Sequence, residues 1–166
     1  MTVLTILTAP NDKLIEQAKP VADVSKIQGL IDDLLETMYD TDDGIGLAAT
    51  QVGSSEAVVV IDISENRDEP LVLVNPVITH GEATAKGQEG CLSVPGYYAD
   101  VERFTNVTVE ALDRNGKAIT VTSDEFLAIV MQHEIDHLNG TLFIDYLSPL
   151  KKQMALKKVK KTIKNG

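Results

Sequence analysis

Cysteine is nearly absent from this chain: Cys91 is the only one in 166 residues. No internal disulfide can form, so a disulfide-stapled secreted scaffold is excluded. Long apolar runs are missing too, and none approaches the roughly 18 residues that would suggest a membrane-spanning helix. The first ten residues are partly apolar but lack a basic start and a cleavage-type site, so no signal peptide is expected. There is no phosphate-binding loop: residues 44–53 are rich in small side chains but contain no basic residue and no Gly-Lys-Ser/Thr ending. These absences fit a reducing cytoplasm, which is the expected location.

What is present suffices for one domain with a real core. Hydrophobic residues make up 43% of the chain, an ordinary globular value. No repeat, low-complexity tract or interdomain linker interrupts it, so residues 1–166 are read as one domain. The net charge of −10 is unevenly placed. Residues 151–166 hold seven lysines and no acid, which leaves the remainder more acidic still. An acidic body argues against DNA and broad nucleic-acid binding. The lysine-rich end could still touch an RNA surface locally.

Periodicity gives the elements. Asn11 and Asp12 can cap a short first helix ending before Pro20. Ile27, Leu30, Ile31, Leu34, Leu35 and Met38 share one helical face, which should end near Asp40. Strands are predicted over 57–63 and 71–75, with a turn over 67–70. Val107, Val109 and Ala111 alternate with polar residues, as do Ile119 and Val121. Asn115-Gly116 between those runs is a hairpin signal. A buried helix is predicted from Thr122 or Ser123, with Thr122 and Glu125 as a capping box, ending at Asn139-Gly140. Pro149 should open a last helix over about 149–164. Strands and helices do not alternate regularly. The expected class is therefore α+β: antiparallel sheets around a central helix, with an N-terminal and a C-terminal helix.

The central helix carries the chemistry. Gln132-His133-Glu134-Ile135-Asp136-His137 contains two of the chain's three histidines. Residues four apart share a helix face, so two imidazoles can hold one divalent metal, and the adjacent glutamate can move protons of an activated water. A catalytic site of this type needs a third protein ligand and an open position. His80, in Thr79-His80-Gly81, reads as a solvated turn. Asp145 reads as an exposed or capping carboxylate, and Phe143 occupies the place where a metzincin has its third histidine. Cys91 remains, in Glu89-Gly90-Cys91-Leu92-Ser93-Val94-Pro95-Gly96, a composition suited to a loop or strand end. Its thiolate suits zinc or ferrous iron. Gln51 closes the third informative segment, whose glycines permit close backbone approach and whose amide could steady an oxyanion.

Together these segments resemble the peptide deformylase family. Its three motifs stand here as Gly44-Ile45-Gly46-Leu47-Ala48-Ala49-Thr50-Gln51, Glu89-Gly90-Cys91-Leu92-Ser93 and Gln132-His133-Glu134-Ile135-Asp136-His137, intact and in order. The likeness continues through Tyr146-Leu147-Ser148-Pro149-Leu150-Lys151. The resemblance implies a metal-dependent hydrolase removing formyl from the N-terminal formyl-methionine of nascent peptides. It implies Cys91, His133 and His137 as metal ligands, Glu134 as general acid/base, and Gln51 with the Leu92 N–H as oxyanion donors. Ile45, Gly46, Phe126, Ile129, Val130 and Glu89 are candidates for substrate contact. Arg103 could pair with Glu89 to fix the cysteine loop. Gly87 departs from the aliphatic residue the family often has there, which bears on pocket depth.

Ligand chemistry alone favours zinc; the resemblance implies one Fe(2+) per chain, with Zn, Ni or Co as replacements. A monomer is expected. The resemblance also implies ribosome docking through the C-terminal helix, against which stands a merely solvated helix. Two other readings are a general zinc metallopeptidase and a catalytically idle ribosome-associated module.

Overall fold

The computed structural model describes residues 2–165. Five antiparallel strands form one sheet in chain order: β1 (Gly46–Ala48), β2 (Val58–Ile61), β3 (Leu71–Cys91), β4 (Val94–Leu112) and β5 (Ala118–Ser123). Helix α1 (Gln28–Asp40) precedes the sheet; α2 (Phe126–Leu138) and α3 (Pro149–Asn165) follow it. No described helix is long and apolar enough to cross a membrane.

Strand β2 shows how the layers are built. Its four residues, Val58-Val59-Val60-Ile61, are all buried. Successive side chains in a strand point to opposite faces. Val58 and Val60 therefore pack with Ile31, Leu34 and Met38 of α1. Val59 and Ile61 pack with Ala128, Met131 and Ile135 of α2. Burial on both faces explains an apolar run without alternation. A third cluster joins Val94 and Val101 of β4 to Phe143, Ile144 and, on α3, Ala155 and Val159.

The α+β reading holds, with differences in detail. A single sheet with α1 on one face and α2 on the other stands where several sheets were expected. The strand predicted over 71–75 runs on to Cys91, with register shifts against β4 at Val74/Val77, Ile78/His80 and Glu89/Cys91. Such irregularities bend a strand, and the sequence pattern broke where the pairing slips. His80 lies in this strand rather than in a turn; it is exposed, with Nε2 3.2 Å from Glu82. The first helix is a single 3₁₀ turn, Asp12–Ile15, capped by Asn11 as expected. Helix α2 starts at Phe126, not at 122 or 123, and its N-cap Glu125 makes no side-chain cap bond. Thr122 is used by the sheet instead: it pairs with Thr108 across the β4–β5 ladder.

Candidate metal and active site

Two short devices carry the cysteine to the helix. Cys91 pairs with Val94, so Leu92 and Ser93 form the tight turn of the β3–β4 hairpin. Helix α2 presents His133 and His137 on one face. The ligand atoms of Cys91, His133 and His137 all lie within 4.8 Å of one another. His137 Nε2 is 3.2 Å from Cys91 Sγ and 3.2 Å from His133 Nε2. Asp145 and His80, weighed as ligands from sequence, stand elsewhere: Asp145 accepts from Leu142 N at 2.9 Å and pairs with Lys152.

The arrangement suits a cation. Hydrogen bonds and charge from Arg103 and His133 outweigh burial and hold the Glu89 carboxyl below its usual range, so it is an acceptor. His133 Nδ1 lies 2.9 Å from Glu89 Oε1 and must donate to it, which turns the Nε2 lone pair toward Cys91 and His137. His137 Nδ1 is buried with no hydrogen-bond partner among the described residues. Burial opposes a charge on His133, yet Cys91 and Glu89 raise its pKa well above the usual value. His137 is pushed the other way by burial and by His133, and stays a neutral donor. One thiol and two imidazoles with an open side suit zinc or ferrous iron.

Around this cluster lies a cavity of about 410 Å³. Gln51, Glu89, Cys91, Leu92, His133 and Glu134 line it, as do Ile45, Gly46, Phe126, Ile129 and Val130. Every residue named from sequence for the site therefore reaches the cavity wall except His137, which sits behind it at 1% exposure. Glu89 uses its oxygens on Arg103 (2.8 and 2.9 Å) and on His133, so it braces the histidine. Gly87 stands away from the wall, with open space where a side chain would project.

Two groups are poised for chemistry. Burial pushes the Glu134 carboxyl up to about 7, with His133 opposing the rise. That is near the optimum for a group that both takes and returns a proton at neutral pH. Gln51 is fixed at both ends: Oε1 accepts from Ala48 N at 2.9 Å, and Nε2 donates to Ser93 Oγ at 3.0 Å and approaches Cys91 Sγ at 3.6 Å.

Sequence reasoning missed three residues. Ser93 is fully buried and its N–H donates to Cys91 Sγ at 3.4 Å; a residue two places after a lone cysteine was a signal available to it. Asp136 and Tyr146 were also missed. Arg103 donates to Asp136, Tyr146 OH donates to the same carboxylate at 2.7 Å, and the guanidinium lies 5.1 Å from the Tyr146 ring centre. Nothing in sequence separation pointed to that set.

Known proteins share this architecture. A family model described as polypeptide deformylase matches residues 3–153. Peptide deformylase 1 of Vibrio vulnificus (strain YJ016) is 71% identical over 161 residues, covering 97% of this chain and 96% of that protein. The crystal structure of a peptide deformylase from Legionella pneumophila has a TM-score of 0.94 at 47% identity, covering 98% of this chain and 96% of that one. A peptide deformylase from Ehrlichia chaffeensis, in complex with actinonin, gives 0.92 at 40% identity and 98% coverage of both chains. With the match extending through both the hairpin that carries Cys91 and the helix that carries His133 and His137, the chain belongs to the polypeptide deformylase family.

Proposed function

We propose that this protein is a metal-dependent hydrolase that removes the N-formyl group from the terminal formyl-methionine of newly made proteins and releases formate. The observation that carries this reading is the convergence of Cys91, His133 and His137 beside Glu134 at the wall of a cavity open to solvent. Residues 1–166 act as one catalytic domain, as a monomer, in the bacterial cytoplasm.

Cys91, His133 and His137 would hold one divalent metal, for which we propose Fe(2+), with Zn, Ni or Co as replacements. A metal held there lowers the pKa of water and draws electron density from a carbonyl oxygen. Glu134 takes a proton from the attacking water. As the C–N bond of the formamide breaks, Glu134 returns that proton to the leaving amine. Gln51 Nε2 and the Leu92 N–H steady the charge that develops on the formyl oxygen. Ile45, Phe126, Ile129 and Val130 give the methionine side chain an apolar wall, and Gly46 lets the substrate backbone approach. Six of the seven lysines of α3 are exposed, while Lys152 pairs with Asp145, and this exposed charge supports contact with ribosomal RNA during nascent-chain capture.

The test is turnover of formyl-Met-Ala-Ser by anaerobically prepared protein, with casein as the alternative substrate. Formate release without casein cleavage supports the reading; casein cleavage without formate release would replace it with a general metallopeptidase. Glu134→Ala should keep metal yet lose nearly all turnover.

A further inference from the structure

Helix α1 ends without a glycine cap. Its last turn has no basic residue, and Thr41 leaves it in extended backbone. The last carbonyls of a helix lack intrahelical partners and form the negative end of its dipole. Here a distant arginine meets them. Arg67, in the loop between β2 and β3, donates to Thr41 O at 3.0 Å, Met38 O at 3.2 Å and Gly44 O at 3.3 Å, with Asp42 O at 3.5 Å on the edge of the fan. Its guanidinium also stands 5.5 Å from the centre of the Tyr39 ring. Arg67 makes no ion pair among the described residues. Its own backbone is left-handed (φ 54°), a conformation that non-glycine residues seldom adopt.

The segment held in this way is one wall of the cavity. Asp43, Gly44, Ile45 and Gly46 line it directly. Gly44 N donates to Thr41 Oγ1 at 2.9 Å, and that hydroxyl donates to Met38 O at 2.7 Å. Asp62 N donates to Ile45 O at 2.8 Å, while Tyr39 OH reaches the Asp62 carboxylate. Without Arg67, residues 41–44 would keep one side-chain anchor, Thr41, and a cluster of carbonyls with like partial charge.

We infer that Arg67 is a positioning residue for substrate binding: it clamps residues 41–44 so that Ile45 and Gly46 stand where the formyl-methionyl end docks, without itself touching substrate. This rests on the function proposed above. A lysine could not replace it, because one ammonium lacks the planar fork that serves several carbonyls at once.

The experiment compares Arg67→Ala and Arg67→Lys with wild type as metal-loaded enzymes on formyl-Met-Ala-Ser. The expected result for Arg67→Ala is a KM raised about ten-fold with kcat nearly unchanged, the pattern of lost ground-state binding. Metal content should match wild type, and amide hydrogen exchange should quicken in peptides covering 41–46 only. Arg67→Lys should fall between the two, and ethylguanidine should lower the KM of Arg67→Ala but not that of wild type. An unchanged KM overturns the inference. So does a loss confined to kcat, or faster exchange across the whole sheet, which marks a role in stability alone. If Arg67→Ala does not fold, Arg67→Lys carries the same comparison. Wild type inactive on this peptide would overturn the function itself and this inference with it, an outcome visible before any variant is measured.

Discussion

Gly46 and Glu134 share one small space: a Cβ on residue 46 would lie 2.5 Å from Glu134 Oε2. The missing side chain on β1 therefore leaves room for the carboxylate. The clash falls on the end of a flexible side chain, so Gly46→Ala should shift Glu134 without disturbing the sheet. We expect kcat to fall by roughly 100-fold, the scale of a misplaced general acid/base. Steady-state kinetics beside thermal melting checks this; near-native kcat would mean the carboxylate has slack.

Glu89 carries two loads, the His133 ring and the buried Arg103 charge. Glu89→Ala should weaken metal affinity by about 10- to 100-fold, as loss of a group orienting a ligand does. Leaving the buried arginine with Asp136 as its remaining carboxylate partner should also cost about 1.5–3 kcal/mol of stability. Chelator competition and urea unfolding separate the two effects. Unaltered metal affinity would show that His133 needs no brace.

Cys91→Ser exchanges a soft anion for a neutral hydroxyl. Metal should be lost on dialysis, while the hairpin remains, because the Cys91–Val94 pairing is made by backbone. Metal analysis after dialysis, with circular dichroism as the control, reads the outcome. Full metal retention would remove Cys91 from the ligand set.

A thiolate beside ferrous iron is prone to oxidation. Activity should decay in air and persist under nitrogen, and a zinc-loaded sample should be stable in both. Equal half-lives for the iron sample in both atmospheres would argue for a different metal.

Asp62 ties acid stability to a carboxylate outside the Cys91, His133 and His137 set. Burial pushes its carboxyl up, but hydrogen bonds from Ser64, Tyr39 and Glu69 outweigh this and hold it below its ordinary value of 3.8. A depressed pKa stabilises the fold above the unfolded value and loses that effect as the pH falls through the folded value. Asp62→Asn should therefore be less stable than wild type at pH 7, and the gap should close below about pH 4. Urea midpoints at the two pH values test the sign; a gap that widens in acid would contradict it.

Much of the fold was legible because it rests on short-range rules. The face of α1 followed from apolar spacing, and Gly140, with φ 77°, ends α2 where the sequence placed the stop. The start of α2 was not legible. Thr122 and Glu125 have the spacing of a capping box, but cross-strand pairing with Thr108 competes for Thr122 and wins. The full length of β3 was hidden because its far half is exposed and polar, held by β4 rather than by an apolar pattern.

The site divides in the same way. By itself the sequence determined which side chains are available: one thiol, two imidazoles four residues apart with a glutamate between them, and a glutamine after a glycine-rich segment. Spacing along a helix fixes such a pair, since the backbone repeat does the placing. Only the tertiary structure decided what Glu89 does. A buried carboxylate between an arginine and a histidine must hydrogen-bond both, and they stand 14 and 44 positions further along the chain. It likewise decided that Arg67 closes the end of α1, because free carbonyls recruit whichever donor the folded chain brings within reach.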